Sequence, residues 1–115
     1  MLYKNLLAKE LYASIPSTKL IAELFEKGMK MGSTQLAVSA MEELILRGDT
    51  DLVFCSLKEA FDTENGYVKL DSSMGSMIAR SLLESDRGSD PILRRFGKGI
   101  FLKKNPIEFA TYEQT

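Results

Sequence analysis

The segment from Ser72 to Lys104 constrains the fold more than any other part of the chain. Asp71, Ser72 and Ser73 carry short side-chain oxygens suited to cap a helix start. Met74, Met77, Ile78 and Leu82 then recur at helical spacing and predict a helix from Ser73 to about Ser85. Asp86 to Pro91 reads as a charged loop. Beyond it, two short runs of apolar and basic residues flank Gly97, Lys98 and Gly99, a glycine-rich turn signal. That pattern predicts a hairpin with strands at 92–96 and 100–103.

Upstream, the same reading gives five more elements. Leu2, Leu6, Leu7 and Leu11 mark a helix over 2–13, broken at Pro16. Ser17 or Thr18 caps a second helix, about 18–30, which Gly32 ends in a left-handed C-cap. Ser33 or Thr34 opens a third, to Arg47, with Gln35, Ser39, Glu42 and Glu43 on its polar side. Leu52–Cys55 is short and apolar and predicts a small strand. Ser56 and Glu59 form a capping-box pattern that predicts a short helix at 57–63.

From residue 33 onward the predicted order is helix, strand, helix, helix, strand, strand. This is the order of a winged helix-turn-helix, so the expected class is α+β and mostly helical. The expected organisation is an N-terminal helical extension (1–32), a winged-helix domain (33–104) and a C-terminal tail (105–115). The extension packs on the domain or pairs two copies of the chain.

Charge singles out the same region. From Arg80 to Lys104 there are seven basic residues and three acidic ones, a local charge of +4 in a chain of net charge −1. A polyanion would be drawn there and repelled elsewhere. On the predicted helix, Ser73, Ser76, Arg80, Glu84 and Arg87 fall on the outer face, which in a helix-turn-helix lies in the major groove. Arginine can donate two parallel hydrogen bonds to guanine, and serine can reach a phosphate or base edge. Around the predicted hairpin, Arg94, Arg95, Lys98, Lys103 and Lys104 are placed to hold phosphate. The plain alternatives are a solvated polar helix face and a charged hairpin edge that discourages aggregation.

Thr34 to Lys104 resembles the HARE-type winged helix-turn-helix domain. That domain occurs at the ends of some restriction enzymes, in chromatin proteins and in the delta subunit of bacterial RNA polymerase. The likeness is carried by the run Ile78 to Leu83, the loop Arg87 to Pro91 and the stretch Ile92 to Leu102. It implies a wing after the third helix and recognition of DNA or modified DNA, with protein contacts in some members. Residues 1–30 are extra to the family's pattern.

Composition excludes several classes. With no histidine and a single cysteine, the usual zinc sites and histidine-based triads are out of reach. Cys55 lies in an apolar run and reads as a small buried residue. Gly97, Lys98 and Gly99 are not followed by the Ser/Thr and helix start of a phosphate loop. No catalytic set, metal or cofactor is expected. No apolar run reaches the ~20 residues of a membrane span, and the N-terminus lacks a signal-peptide pattern, so a cytoplasmic location is expected (nucleoid or nucleus when DNA-bound). The leading expectation is therefore a small regulatory protein that binds double-stranded DNA. The alternative is a protein-interaction module, such as a polymerase-associated factor or a viral inhibitor, working through the acidic helices 18–30 and 33–47. A helix-turn-helix at 18–47 is disfavoured, because Glu42 and Glu43 would face the phosphates.

Overall fold

The structure, a computed structural model, describes residues 9–84 and 90–111. Residues 9–13 are helical and form α1. There follow α2 (Thr18–Met31), α3 (Thr34–Leu46), α4 (Thr50–Ala60), α5 (Ser73–Glu84), α6 (Pro91–Phe101) and α7 (Pro106–Thr111). No strand occurs among the described residues.

The α+β class with a β-hairpin wing is thus overturned: the chain is helical, and the predicted strands 92–96 and 100–103 fall in and just after α6. The reasons are local and tertiary. Asp90 is an N-cap whose carboxylate accepts from the amides of Ile92 (2.9 Å) and Leu93 (3.2 Å). Pro91 follows, in a first turn where its missing N–H costs nothing. Leu93, Phe96 and Ile100 then share one helical face and are buried. Phe96 meets Phe54 and Phe61 edge-on, with ring centroids 6.0 and 5.6 Å apart. Such edge-to-face pairs add about 0.5–1.5 kcal/mol each beyond area burial, which favours turning Phe96 inward with Leu93 and Ile100.

Gly97 and Gly99 are packing residues rather than turn residues. A Cβ on Gly97 would approach the Ala79 carbonyl and the Leu82 and Leu83 side chains of α5; one on Gly99 would meet Pro106 and Phe109 of α7. The two glycines let α6 lie close to both neighbours. Residues 106–111, read from sequence as part of a tail, fold back along α6 as α7 and bury Pro106 and Ala110.

The predicted strand at 52–55 is likewise helical. Val53, Leu57 and Ala60 fall at i, i+4 and i+7 and turn inward on α4. Cys55 consequently points outward and is exposed. Ser56 and Glu59 lie inside α4 and cap nothing.

The bounds of α2 and α3 follow the predicted pattern; of the helix predicted over 2–13, residues 2–8 lie outside the described residues. Ser17 caps α2 by accepting from the Leu20 amide at 3.1 Å. Gly32 ends that helix with φ 76°. Gly28 of α2 sits against Ala37 of α3, and the two helices form an antiparallel hairpin. Arg47, at the end of α3, closes the N-terminal half. Its Nε meets the Glu43 carboxylate at 2.8 Å. Its Nη2 donates to the carbonyls of Tyr12 (3.2 Å) and Ile15 (2.6 Å). Its Nη1 reaches the Pro16 carbonyl and the Thr18 hydroxyl. One guanidinium therefore ties the α1–α2 connection to α3. Buried residues from α2 to α6 form one continuous core.

Candidate functional site

The expected site residues gather around α5, α6 and the turn after α6. On α5, Met74, Ile78, Leu82 and Gly75 face inward, while Ser73, Ser76 and Arg80 form an exposed outer stripe. Met77, expected inside, is exposed with them. Leu83 lies three residues beyond Arg80, on the flank that meets α6. Arg94 reaches across from α6 and donates from Nη1 to the Leu83 carbonyl at 3.3 Å. The seam between the helices is lined on α5 by Ala79, Leu82 and Leu83; Arg80 is on the exposed stripe of the same helix.

The exposed edge of α6 has its own period. Arg94, Lys98 and Phe101 fall at i, i+4 and i+7, so they share a stripe, and all three are exposed. Phe101 is 69% exposed, an unusual setting for a phenyl ring with four cationic side chains near it in sequence. Lys103 and Lys104 follow directly and are exposed. Arg95 differs: it is half-buried, and its Nε donates to the Ala110 carbonyl at 3.2 Å, fastening α7 to α6. Arg87 lies outside the described residues.

The turn after α6 is a Schellman cap: the Lys104 amide donates to Gly99 O and the Lys103 amide to Ile100 O. The position that must adopt positive φ is Lys103, at 60°. The corresponding positions after α2 and α3 are Gly32 and Gly48. A left-handed conformation costs a residue with a Cβ about 1–2 kcal/mol. At the end of α6 that cost is carried by a lysine.

The ion pairs among the described residues lie elsewhere: Lys9–Glu42, Glu26–Lys30 and Glu43–Arg47. Arg80, Arg94, Lys98, Lys103 and Lys104 enter none of them. A phosphate approaching these side chains would meet charge that no carboxylate among the described residues pairs with.

A second polar feature sits beside α4. The Tyr67 hydroxyl is buried with no hydrogen-bond partner among the described residues. The Lys30 ammonium lies 5.5 Å over its ring. Burial, with the Glu26 and Glu59 carboxylates adding to it, pushes the phenol up to about 12. This arrangement favours the neutral phenol and offers no nucleophile.

Among the described residues no group of three or more His, Cys, Asp or Glu could hold a metal ion, and no helix is long and apolar enough to cross a membrane. Comparison of the chain with protein-family models, with curated proteins and with solved structures finds no match. None of these comparisons bears on the HARE resemblance.

Sequence reasoning missed Phe101 and Arg47, and it placed Lys103 without its left-handed backbone. Phe101 was hidden in a predicted strand, although its spacing from Arg94 and Lys98 is helical. The strained backbone of Lys103 has no sequence signature. The clasp made by Arg47 depends on a connection more than 30 residues away.

Proposed function

We propose that this protein binds DNA without catalysing a reaction, holding the sugar–phosphate backbone at the corner formed by α5, α6 and the turn after α6. The observation that carries the reading is the set of five exposed cations, Arg80, Arg94, Lys98, Lys103 and Lys104, free of ion pairs among the described residues. Phosphate contacts of this kind give affinity and salt dependence with little sequence choice. Ser73 and Ser76 add hydroxyls on the exposed stripe of α5. Arg80, at the middle of that stripe, is the side chain best placed to reach a base edge.

The strained Lys103 supports the same reading. Backbone strain retained at a position where glycine would relieve it is typical of residues kept for what their side chain does. Phe101 adds a π-face beside the cations, on which an unpaired base could stack.

Binding here does not use a wing. The cations come from two antiparallel helices and a helix cap, so the contact is broad and shallow. Arg95 plays a structural part by fastening α7, which makes Arg94 and Lys98 the better probes of binding. Anisotropy titration of a labelled mixed-sequence duplex at low and at raised salt tests the proposal. Binding that weakens steeply with salt is expected; no binding at low salt rejects it.

A further inference from the structure

A cleft of about 590 Å³ runs between α1, α3 and α5. Its walls carry Glu10 from α1, Glu42 and Glu43 from α3, and Glu84 from α5. These carboxylates are unequally compensated. Glu43 is held by Arg47. Glu42 is oriented by Ser81, whose hydroxyl donates to Oε2 at 3.0 Å. Glu10 and Glu84 have no ionic partner among the described residues.

Two further observations point to an occupant. Lys9, an exposed side chain at the rim, already places its ammonium 3.3 Å from the other oxygen of Glu42. The cleft thus accepts an ammonium at a defined position, from a side chain free to give way. In addition, Ser39 lines the cleft at 4% exposure, and its hydroxyl makes no hydrogen bond among the described residues. Its oxygen is not fully enclosed, so it opens to the cleft and can meet a polar group of an occupant. Leu46, exposed at the cleft, supplies an apolar seat.

We infer that this cleft docks a short cationic peptide segment of a partner protein. A Lys or Arg of the segment takes the place of Lys9 on Glu42. A second cation lies between Glu10 and Glu84. An apolar side chain rests on Leu46, and a peptide group meets the Ser39 hydroxyl. The volume lies within the ~300–1,000 Å³ usual for binding clefts and suits a few side chains. A second copy of this chain fits less well. Its basic corner entering the cleft would make a head-to-tail contact that generates a growing chain unless the rotation closes.

The test uses the full chain and a labelled amphipathic Leu/Lys peptide as probe, read by anisotropy. Glu10→Gln/Glu42→Gln/Glu84→Gln is compared with Glu23→Gln/Glu59→Gln/Glu64→Gln, which removes the same charge away from the cleft. Glutamine at 42 keeps an acceptor for Ser81. The cleft variant should weaken probe binding about tenfold, as expected for three lost partly exposed ion pairs, and the control by less than about twofold. Leu46→Ser should weaken binding further at high salt, where charge is screened. Equal losses in the two triple variants would overturn the inference, since net charge alone would then explain them. Self-association of the parent that the cleft variant abolishes would overturn it in favour of a second copy. Duplex DNA should bind the cleft variant at least as well as the parent, which separates this site from the basic corner.

Discussion

A Cβ atom placed on Gly97 would lie 2.9 Å from the Cβ of Leu82, so α5 and α6 meet at a point where only hydrogen fits. Alanine at this exposed-looking, glycine-rich position would ordinarily gain about 1 kcal/mol of helix propensity. Overpacking outweighs that gain, because the obstacle is the base of a buried side chain together with a backbone carbonyl. Gly97→Ala should destabilise the protein by about 1–3 kcal/mol, read as a lower urea midpoint with unchanged slope. Gly99→Ala should behave alike, since its obstacle is the Cα of Pro106 at 2.8 Å.

Arg47 makes contacts that no other cation can reproduce. Its fork serves the Glu43 carboxylate and three backbone carbonyls of the α1–α2 connection. Arg47→Ala should cost about 2–3 kcal/mol, in line with charge-assisted hydrogen bonds. Arg47→Lys should recover only part of the loss, because an ammonium lacks the planar set of donors. Thermal unfolding of the two variants beside the parent decides this.

Lys103 should separate stability from binding. Lys103→Gly relieves a left-handed residue and should stabilise the fold by about 1 kcal/mol. The same change removes a cation from the corner and should weaken duplex binding at low salt. A variant that is more stable and binds less well is the expected pair of outcomes, measured by denaturation and by anisotropy on one preparation.

Tyr67 gives the fold an alkaline limit. Its phenol is raised from 10.0 to about 12 in the folded state, by burial first and by Glu26 and Glu59 after it. The folded chain therefore holds the proton more tightly than the unfolded chain does. The stability linked to this group is fully present below pH 10 and is lost as the pH rises through about 12. Tyr67→Phe should flatten the fall in unfolding midpoint over that window. At neutral pH the same variant should be more stable by about 1 kcal/mol, since it deletes a buried hydroxyl that has no partner among the described residues.

The helices α2 and α5 were legible because period and caps agreed; α3 was found by its bounds alone, since Ser33 makes no side-chain cap bond and Ser39, expected on the polar face, is buried. Ser17 and Gly32 bound α2 as their chemistry predicts, and Ile78 and Leu82 turn inward while Arg80 turns out. α6 was misread because glycine carries two meanings that look alike in sequence. At Gly32 it supplies a backbone conformation; at Gly97 it supplies closeness to Leu82, which only the fold defines. The deciding local sign was Asp90 with Pro91, a cap and first turn that read equally well as the end of a loop. Val53 and Leu57 show the same limit, since four apolar residues fit a strand or one turn of a buried helix. For the candidate site, the exposure of Arg80 followed from its helical spacing; a strand at 92–96 would have put Arg94 on the face of Phe96, and only the helix separates the two. The roles of Arg47 and Ser39 were not legible, because each depends on groups brought near from distant parts of the chain.

The salt dependence of duplex binding tests the central claim most directly. With five phosphate contacts, the logarithm of the binding constant should fall with the logarithm of salt concentration at a slope of about −4 to −5. Lys98→Ala/Lys103→Ala/Lys104→Ala should bind more weakly and reduce that slope to about −2, with the fold intact by circular dichroism. A parent that fails to bind duplex at low salt, or a triple variant with the parent's affinity and slope, would contradict the account.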